Sequence, residues 1–153
     1  MPPAVFVYLV HHGEAVGPEV DPLRPLSAQG LAAVERLAAL AAARGAKPAV
    51  VWHSGKLRAR QTAQQYWRAC NALAGLSATR DLQPDDPPAF IRDRLRAEPR
   101  DLMLVGHFPH LPALRALLTG ASGAQATFPP HGIVALRSLD AGESWEEVWR
   151  IEC

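Results

Sequence analysis

The chain has 153 residues and a formal charge of +1, with 16 Lys and Arg against 15 Asp and Glu. That length suits one domain with one sizeable core, and the even charge gives no electrostatic reason to expect nucleic acid or a membrane surface as partner. The apolar runs are far shorter than the roughly 20 residues of a membrane span, the start Met1-Pro2-Pro3-Ala4 lacks the positive flank of a secretory leader, and Cys70 and Cys153 are the only cysteines, so the reading is a cytoplasmic protein with free thiols.

Val5-Phe6-Val7-Tyr8-Leu9-Val10 is an unbroken apolar run, read as a first strand buried on both faces. It ends on His11-His12-Gly13-Glu14. A Gly-, Pro- and Asp-rich loop over residues 14–25 leads to Ser27, a favoured N-cap residue. The helix after it carries Leu31, Val34, Leu37, Ala38 and Ala41 at helical spacing and should stop near Gly45 and Pro48. Residues 49–52 read as a second strand, running into His53-Ser54-Gly55, and a second helix covers Leu57 to about Leu73. A short third strand is predicted over 77–80. Asp85-Asp86-Pro87-Pro88 reads as a turn opening a helix through Leu95.

Leu102-Met103-Leu104-Val105 forms a fourth strand, delivering Gly106-His107 to a helix over 109–118. Residues 133–136 and 145–151 read as two closing strands about the Asp140-Ala141-Gly142 turn. The alternation of strands and helices predicts a single three-layer αβα domain over 1–153, with a mostly parallel central sheet. Trp52, Trp67, Trp145 and Trp149 read as core or sheet cover, the last two on one face of the final strand.

Two buried strands, each handing a histidine to its carboxyl edge, place both at the edge where open α/β sheets bind ligands. Arg58 stands at the start of the second helix between them. Histidine and arginine together suit a phosphoryl group: a neutral imidazole attacks and cations hold the oxygens. A metal site built from His11, His12, His53 and His107 is the competing reading. It lacks a carboxylate or cysteine at ligand spacing, and arginine would repel the ion, so no metal and no cofactor is expected. His53 reads as structural and His110 as a surface or capping residue. His131, between Pro130 and Gly132, reads as a turn histidine, with the rim of the site as its alternative. Lys56, Arg58, Arg60 and Arg68 lack the second basic element or aromatic platform of a nucleic-acid interface.

Leu9-Val10-His11-His12-Gly13-Glu14 resembles the Leu-Val-Arg-His-Gly-Glu signature of the histidine phosphatase (phosphoglycerate-mutase-like) superfamily. Ser54-Gly55-Lys56-Leu57-Arg58-Ala59-Arg60-Gln61-Thr62-Ala63 is similar to its Ser-x-x-x-Arg-x-x-Gln-Thr-Ala segment, and Val105-Gly106-His107 to its Gly-His motif. Order and spacing agree over nearly the whole chain. The compact length, Arg24-Pro25-Leu26-Ser27 and Leu104-Val105-Gly106-His107-Phe108-Pro109 point to the SixA-type phosphohistidine phosphatases.

The resemblance implies a metal-independent phosphatase with His12 as nucleophile, forming a phosphohistidine that water hydrolyses. Arg58 would hold phosphate oxygens in its planar fork. A protonated His107 would donate to a third oxygen, and Gly13 would give the phosphate room while its carbonyl fixes the tautomer of His12. The substrate would be a phosphohistidine-bearing protein, with a small phosphomonoester as the same-class alternative. His11 stands where the family has arginine. It is expected to be a partial, titrating cation near pH ~6.5, with Lys56 or Arg60 as replacement charge. On that substitution rests the other alternative, a pseudophosphatase that binds phosphate or a phosphoprotein without turnover. Asp81, Asp85 and Asp86 are the candidates for a general acid, and Glu14 is adjacent to the nucleophile.

Overall fold

The computed structural model describes residues 2–121 and 127–153. Its elements, in chain order, are β1 (Val5–His11), α1 (Ala28–Ala43), β2 (Val50–His53), α2 (Leu57–Cys70), β3 (Gly75–Ala78), α3 (Pro88–Arg96), β4 (Leu102–Gly106), α4 (His110–Thr119), β5 (Ile133–Ser138) and β6 (Glu146–Ile151). They form one six-stranded sheet in the order β3-β2-β4-β1-β5-β6. β3, β2, β4 and β1 run parallel to their neighbours, while β5 and β6 are joined antiparallel. The chain is therefore a single αβ domain with a mostly parallel sheet.

Strand alternation divides the core. Val5, Val7 and Leu9 of β1 join Leu102 and Leu104 of β4 against Ile91, Leu95, Leu111 and Leu114. Tyr8 and Val10 join Met103 and Val105 against Val34, Leu37, Ala59, Ala63 and Tyr66. Helices α3 and α4 thus cover one face and α1 and α2 the other, as period-two strands between amphipathic helices require. No helix among the described residues is long and apolar enough to cross a membrane.

Ser27 caps α1 as expected, its hydroxyl accepting from the Gly30 N–H at 2.9 Å. Several expectations shift. Leu31 fits the helical period yet stays exposed. α2 stops at Cys70, where the side chain of Asn71 donates to the Pro48 carbonyl and accepts from the Leu73 N–H. β3 starts two residues before the predicted strand because its ladder with β2 begins at Val50 and Gly75. α3 begins at Pro88, whose fixed φ suits a first helical position. Trp145 and Trp149 do not share a face. Trp145 precedes β6 and packs with the α3 and α4 side, whereas Trp149, past an irregularity at Ala135 and Leu136, packs on the α1 and α2 side.

Candidate active site

β1 and β4 are parallel neighbours with His11 opposite Gly106. The next residues, His12 and His107, therefore leave adjacent strand ends together. The His12 N–H donates to the Gly106 carbonyl at 3.1 Å, and the two imidazole centroids lie 5.0 Å apart. The chain leaves β1 for β2 on the far side of β4. The crevice between β1 and β4 is thus a switch point, where strand connections diverge and a ligand has access to the sheet edge.

His12 is held by its own loop. Its Nδ1 donates to the Gly13 carbonyl at 2.7 Å, which leaves the lone pair on Nε2. Burial lowers its pKa to about 4 against the Gly13 hydrogen bond, and the charge on Arg58 adds to the lowering. The ring is neutral at pH 7 and nucleophilic at Nε2. Gly13 also serves packing: a Cβ there would lie 2.5 Å from Val34 Cγ2. One on Gly30 would lie 2.1 Å from the Glu14 carbonyl oxygen. The two glycines let α1 pack directly on the loop that follows His12.

Arg58 lies in the first turn of α2, where free N–H groups and the helix dipole favour an anion. Its Nε is buried with no hydrogen-bond partner among the described residues. The helix is tied to the loop after His12 by the residues that follow Arg58. The Gly13 N–H donates to Thr62 Oγ1 at 3.0 Å, that hydroxyl donates to the Arg58 carbonyl at 2.8 Å, and the Leu26 N–H donates to Gln61 Oε1 at 2.7 Å. Ser54 Oγ, just past the end of β2, lies 2.6 Å from His107 Nε2, while His107 Nδ1 is buried and has no hydrogen-bond partner among the described residues. Burial first, then His12 and Arg58, lower the pKa of His107 to about 3. The expected protonated His107 is therefore neutral in the ligand-free site. A bound phosphate dianion would reverse that balance by favouring the charged ring.

His11 also departs from expectation. Its Nδ1 accepts the main-chain N–H of His131 at 2.7 Å, so the ring keeps its hydrogen on Nε2. Burial, followed by His12 and His131, lowers its pKa to about 2. It is a neutral donor and not a titrating cation. His131 is not a plain turn residue. At φ 57° it stacks on His11 with centroids 4.7 Å apart, and its Nδ1 donates to the His12 carbonyl at 2.7 Å. Phe108 stacks on the opposite face of His11 at 4.0 Å.

His11, His12 and His131 bring ring nitrogens within 4.8 Å of one another, a spacing that invites a metal reading. The rings of His11 and His131 are stacked with only 11° between their planes. Imidazole lone pairs lie in the ring plane, so these two cannot converge on one ion. The hydrogen on His11 Nε2 opposes it further, and the set suits an anion accepting hydrogen bonds.

The other predicted residues fall outside this centre. Asp81 pairs with Arg94 at 3.5 Å, and Asp86 Oδ2 accepts from the Gln83 N–H at 2.8 Å; both are spent on holding the loop before α3, and Asp85 is exposed. Gln83 itself donates to the Ser54 carbonyl at 2.8 Å, bracing the serine under His107. Glu14 accepts from Ser27 Oγ at 2.8 Å and serves the α1 cap. Lys56 and Arg60 are exposed; Lys56 is near enough to lower the His107 pKa, while Arg60 acts on His53. His53 Nδ1 accepts from the Gly55 N–H at 3.0 Å, a structural role. His110 is not a surface or capping residue. It is buried, and neither ring nitrogen has a hydrogen-bond partner among the described residues. Arg24 joins the site unpredicted: its charge acts on both His12 and Arg58 while its Nε donates to the Val16 carbonyl at 3.0 Å.

No protein-family model matches the chain, and no curated protein matches it in sequence. Solved structures do. The protein histidine phosphatase SixA complexed with tungstate superposes with a TM-score of 0.85 at 22% identity, covering 97% of both chains. A structure described as the putative phosphohistidine phosphatase SixA from Agrobacterium tumefaciens gives 0.80 at 25% identity, covering 97% of this chain and 98% of the other. A phosphoglycerate mutase from Plasmodium falciparum gives 0.72 at 15% identity, with 95% and 89% covered. The chain has the phosphoglycerate-mutase-like fold, in the compact form seen in the SixA phosphohistidine phosphatases.

Proposed function

We propose that this protein is a metal-independent phosphatase that works through a phosphohistidine at His12, on phosphohistidine carried by a partner protein. The observation that carries this reading is the arrangement around His12. Its Nδ1 is tied to the Gly13 carbonyl, leaving Nε2 free, while Arg58 Nε and His107 Nδ1 are buried and unpartnered nearby. Polar atoms without partners cost free energy unless a ligand satisfies them.

In the reaction, the Nε2 lone pair of His12 forms a bond to phosphorus while the phosphorus–nitrogen bond of the substrate breaks. The departing imidazole keeps that electron pair and takes a proton from water. A second water then attacks the phosphoryl group on His12 and gives its proton to the hydroxide left by the first, releasing phosphate and the neutral ring. Arg58 offers fixed charge to the oxygens, His107 and His11 offer N–H donors, and Arg24 adds charge at the rim. The labile phosphorus–nitrogen bond fits a site where Asp81 and Asp86 are engaged elsewhere. The hollow of about 200 Å³ beside His131 has Gly13, Gly30, Val34 and Cys153 among its walls, but not His12, Arg58 or His107. Cys70 and Cys153 are unpaired, which fits a reducing compartment, and we place the reaction in the cytoplasm.

The test is to incubate the protein with a phosphohistidine-bearing protein and, separately, with an aryl phosphate, and to trap acid-labile phosphoenzyme. Phosphoenzyme and turnover are expected in the wild type and absent in a folded His12→Ala. Phosphate binding without phosphoenzyme would favour a pseudophosphatase, and turnover surviving His12→Ala would place the nucleophile elsewhere.

A further inference from the structure

Building on the phosphatase reading, we infer that His131 is a positioning residue that holds His11 as a neutral hydrogen-bond donor, so that a locked imidazole does at this corner of the site what a fixed cation would do. The lock is geometric. A protonated His11 would aim an N–H at the His131 main-chain N–H across 2.7 Å, which neither donor tolerates. That main-chain group cannot turn aside. The His11 N–H donates to the Gly132 carbonyl at 3.0 Å, and the Gly132 N–H donates to the Pro129 carbonyl at 3.0 Å. The His131 side chain closes the clamp through its 2.7 Å bond to the His12 carbonyl.

The same side chain therefore touches both consecutive histidines, stacking on one and fixing the peptide of the other. It holds a left-handed backbone, where histidine is among the better-tolerated residues. The groups acting on the His11 charge are His12, His131, His107 and Arg58, all basic, and Phe108 covers the remaining ring face. The Nε2–H of His11 is the atom left to meet a phosphoryl oxygen. It gives a hydrogen bond without charge, unchanged across physiological pH. The adjacent imidazoles then do not compete for a proton: His12 attacks as a neutral base beside a neutral donor.

Two measurements on the full chain test this. In the first, long-range proton–nitrogen correlation spectra of the ligand-free protein, with His11 assigned by its loss in His11→Asn, are followed from about pH 5 to 8. His11 is expected to show the Nε2–H tautomer throughout and not to titrate. A His11 that titrates in that range, or carries its hydrogen on Nδ1, overturns the inference.

The second compares His131→Asn with His131→Ala in aryl phosphate turnover. Asparagine tolerates the left-handed backbone and can still donate to the His12 carbonyl, so kcat should stay within about threefold. Alanine loses that donor and the stack, and kcat should fall about tenfold with KM little changed, as misplacing a reacting group does. Equal kcat in the two variants overturns the side chain's role. If the wild type forms no phosphoenzyme, the phosphatase reading fails on its own, and the ring spectra alone decide the inference.

Discussion

At the scale of single residues, chemistry at position 11 depends on one hydrogen bond. Histidine stands where the signature that this segment resembles has arginine, and the His131 N–H makes it neutral. His11→Arg would supply a permanent charge and a forked donor, but would leave that partly buried N–H without its acceptor. Two opposite effects are expected. Inhibition by tungstate should strengthen by about tenfold, as a charge-assisted bond replaces a neutral one. Stability should drop by about 1–3 kcal/mol, the cost of a stranded donor. Inhibition constants and thermal melts check both, and unchanged tungstate affinity would show that position 11 does not face the anion. The tautomer of His11 was not legible in the sequence, because it depends on a main-chain group 120 residues away.

Elements carry the site to within reach of itself. The sequence marked β1, β4 and the start of α2 because apolar runs and helical periods are local signals, and His12, Arg58 and His107 follow directly from where those elements end. It did not reveal how α1 reaches the loop after His12. Gly30 sits inside a helix, where glycine ordinarily only weakens, and its purpose appears only against the Glu14 carbonyl. Arg24, Gln61, Thr62 and Ser54 belong to segments that resemble family motifs, yet their contacts cross between elements and have no period to betray them. His110 is a related case: the first turn of a helix is usually exposed, but this histidine is buried. Gly30→Ala tests the α1 contact. Its Cβ would meet backbone, which cannot rotate away, so α1 or the loop of Gly13 and Glu14 must shift. Overpacking of this kind costs about 1–3 kcal/mol, and kcat should fall with it through displacement of His12. A variant as stable and active as the wild type would mean the loop is free to move and does not position the nucleophile.

For the whole molecule, the gathered imidazoles make stability depend on pH. His11, His12 and His107 have pKa values lowered to about 2, 4 and 3, each chiefly by burial. In the unfolded chain they bind protons below about pH 6.5, while the folded protein does not until far lower. The unfolded state therefore gains protons first, and stability falls as pH drops from about 6.5 toward the folded values. The slope approaches about 1.4 kcal/mol per pH unit for each fully shifted ring, with less from the partly exposed His12. Carboxylates are still ionised between about pH 6.5 and 5, so this loss belongs to the histidines. Melting temperature should decline across that interval in an anion-free buffer. An oxyanion such as tungstate or phosphate should shrink the decline, because its charge favours protonated His12 and His107 and its binding stabilises the folded state. Melts recorded at several pH values, with and without tungstate, give the answer. A flat profile without anion would show that the rings titrate as they do in water. A decline that tungstate leaves untouched would mean that the histidine cluster is not where the oxyanion binds.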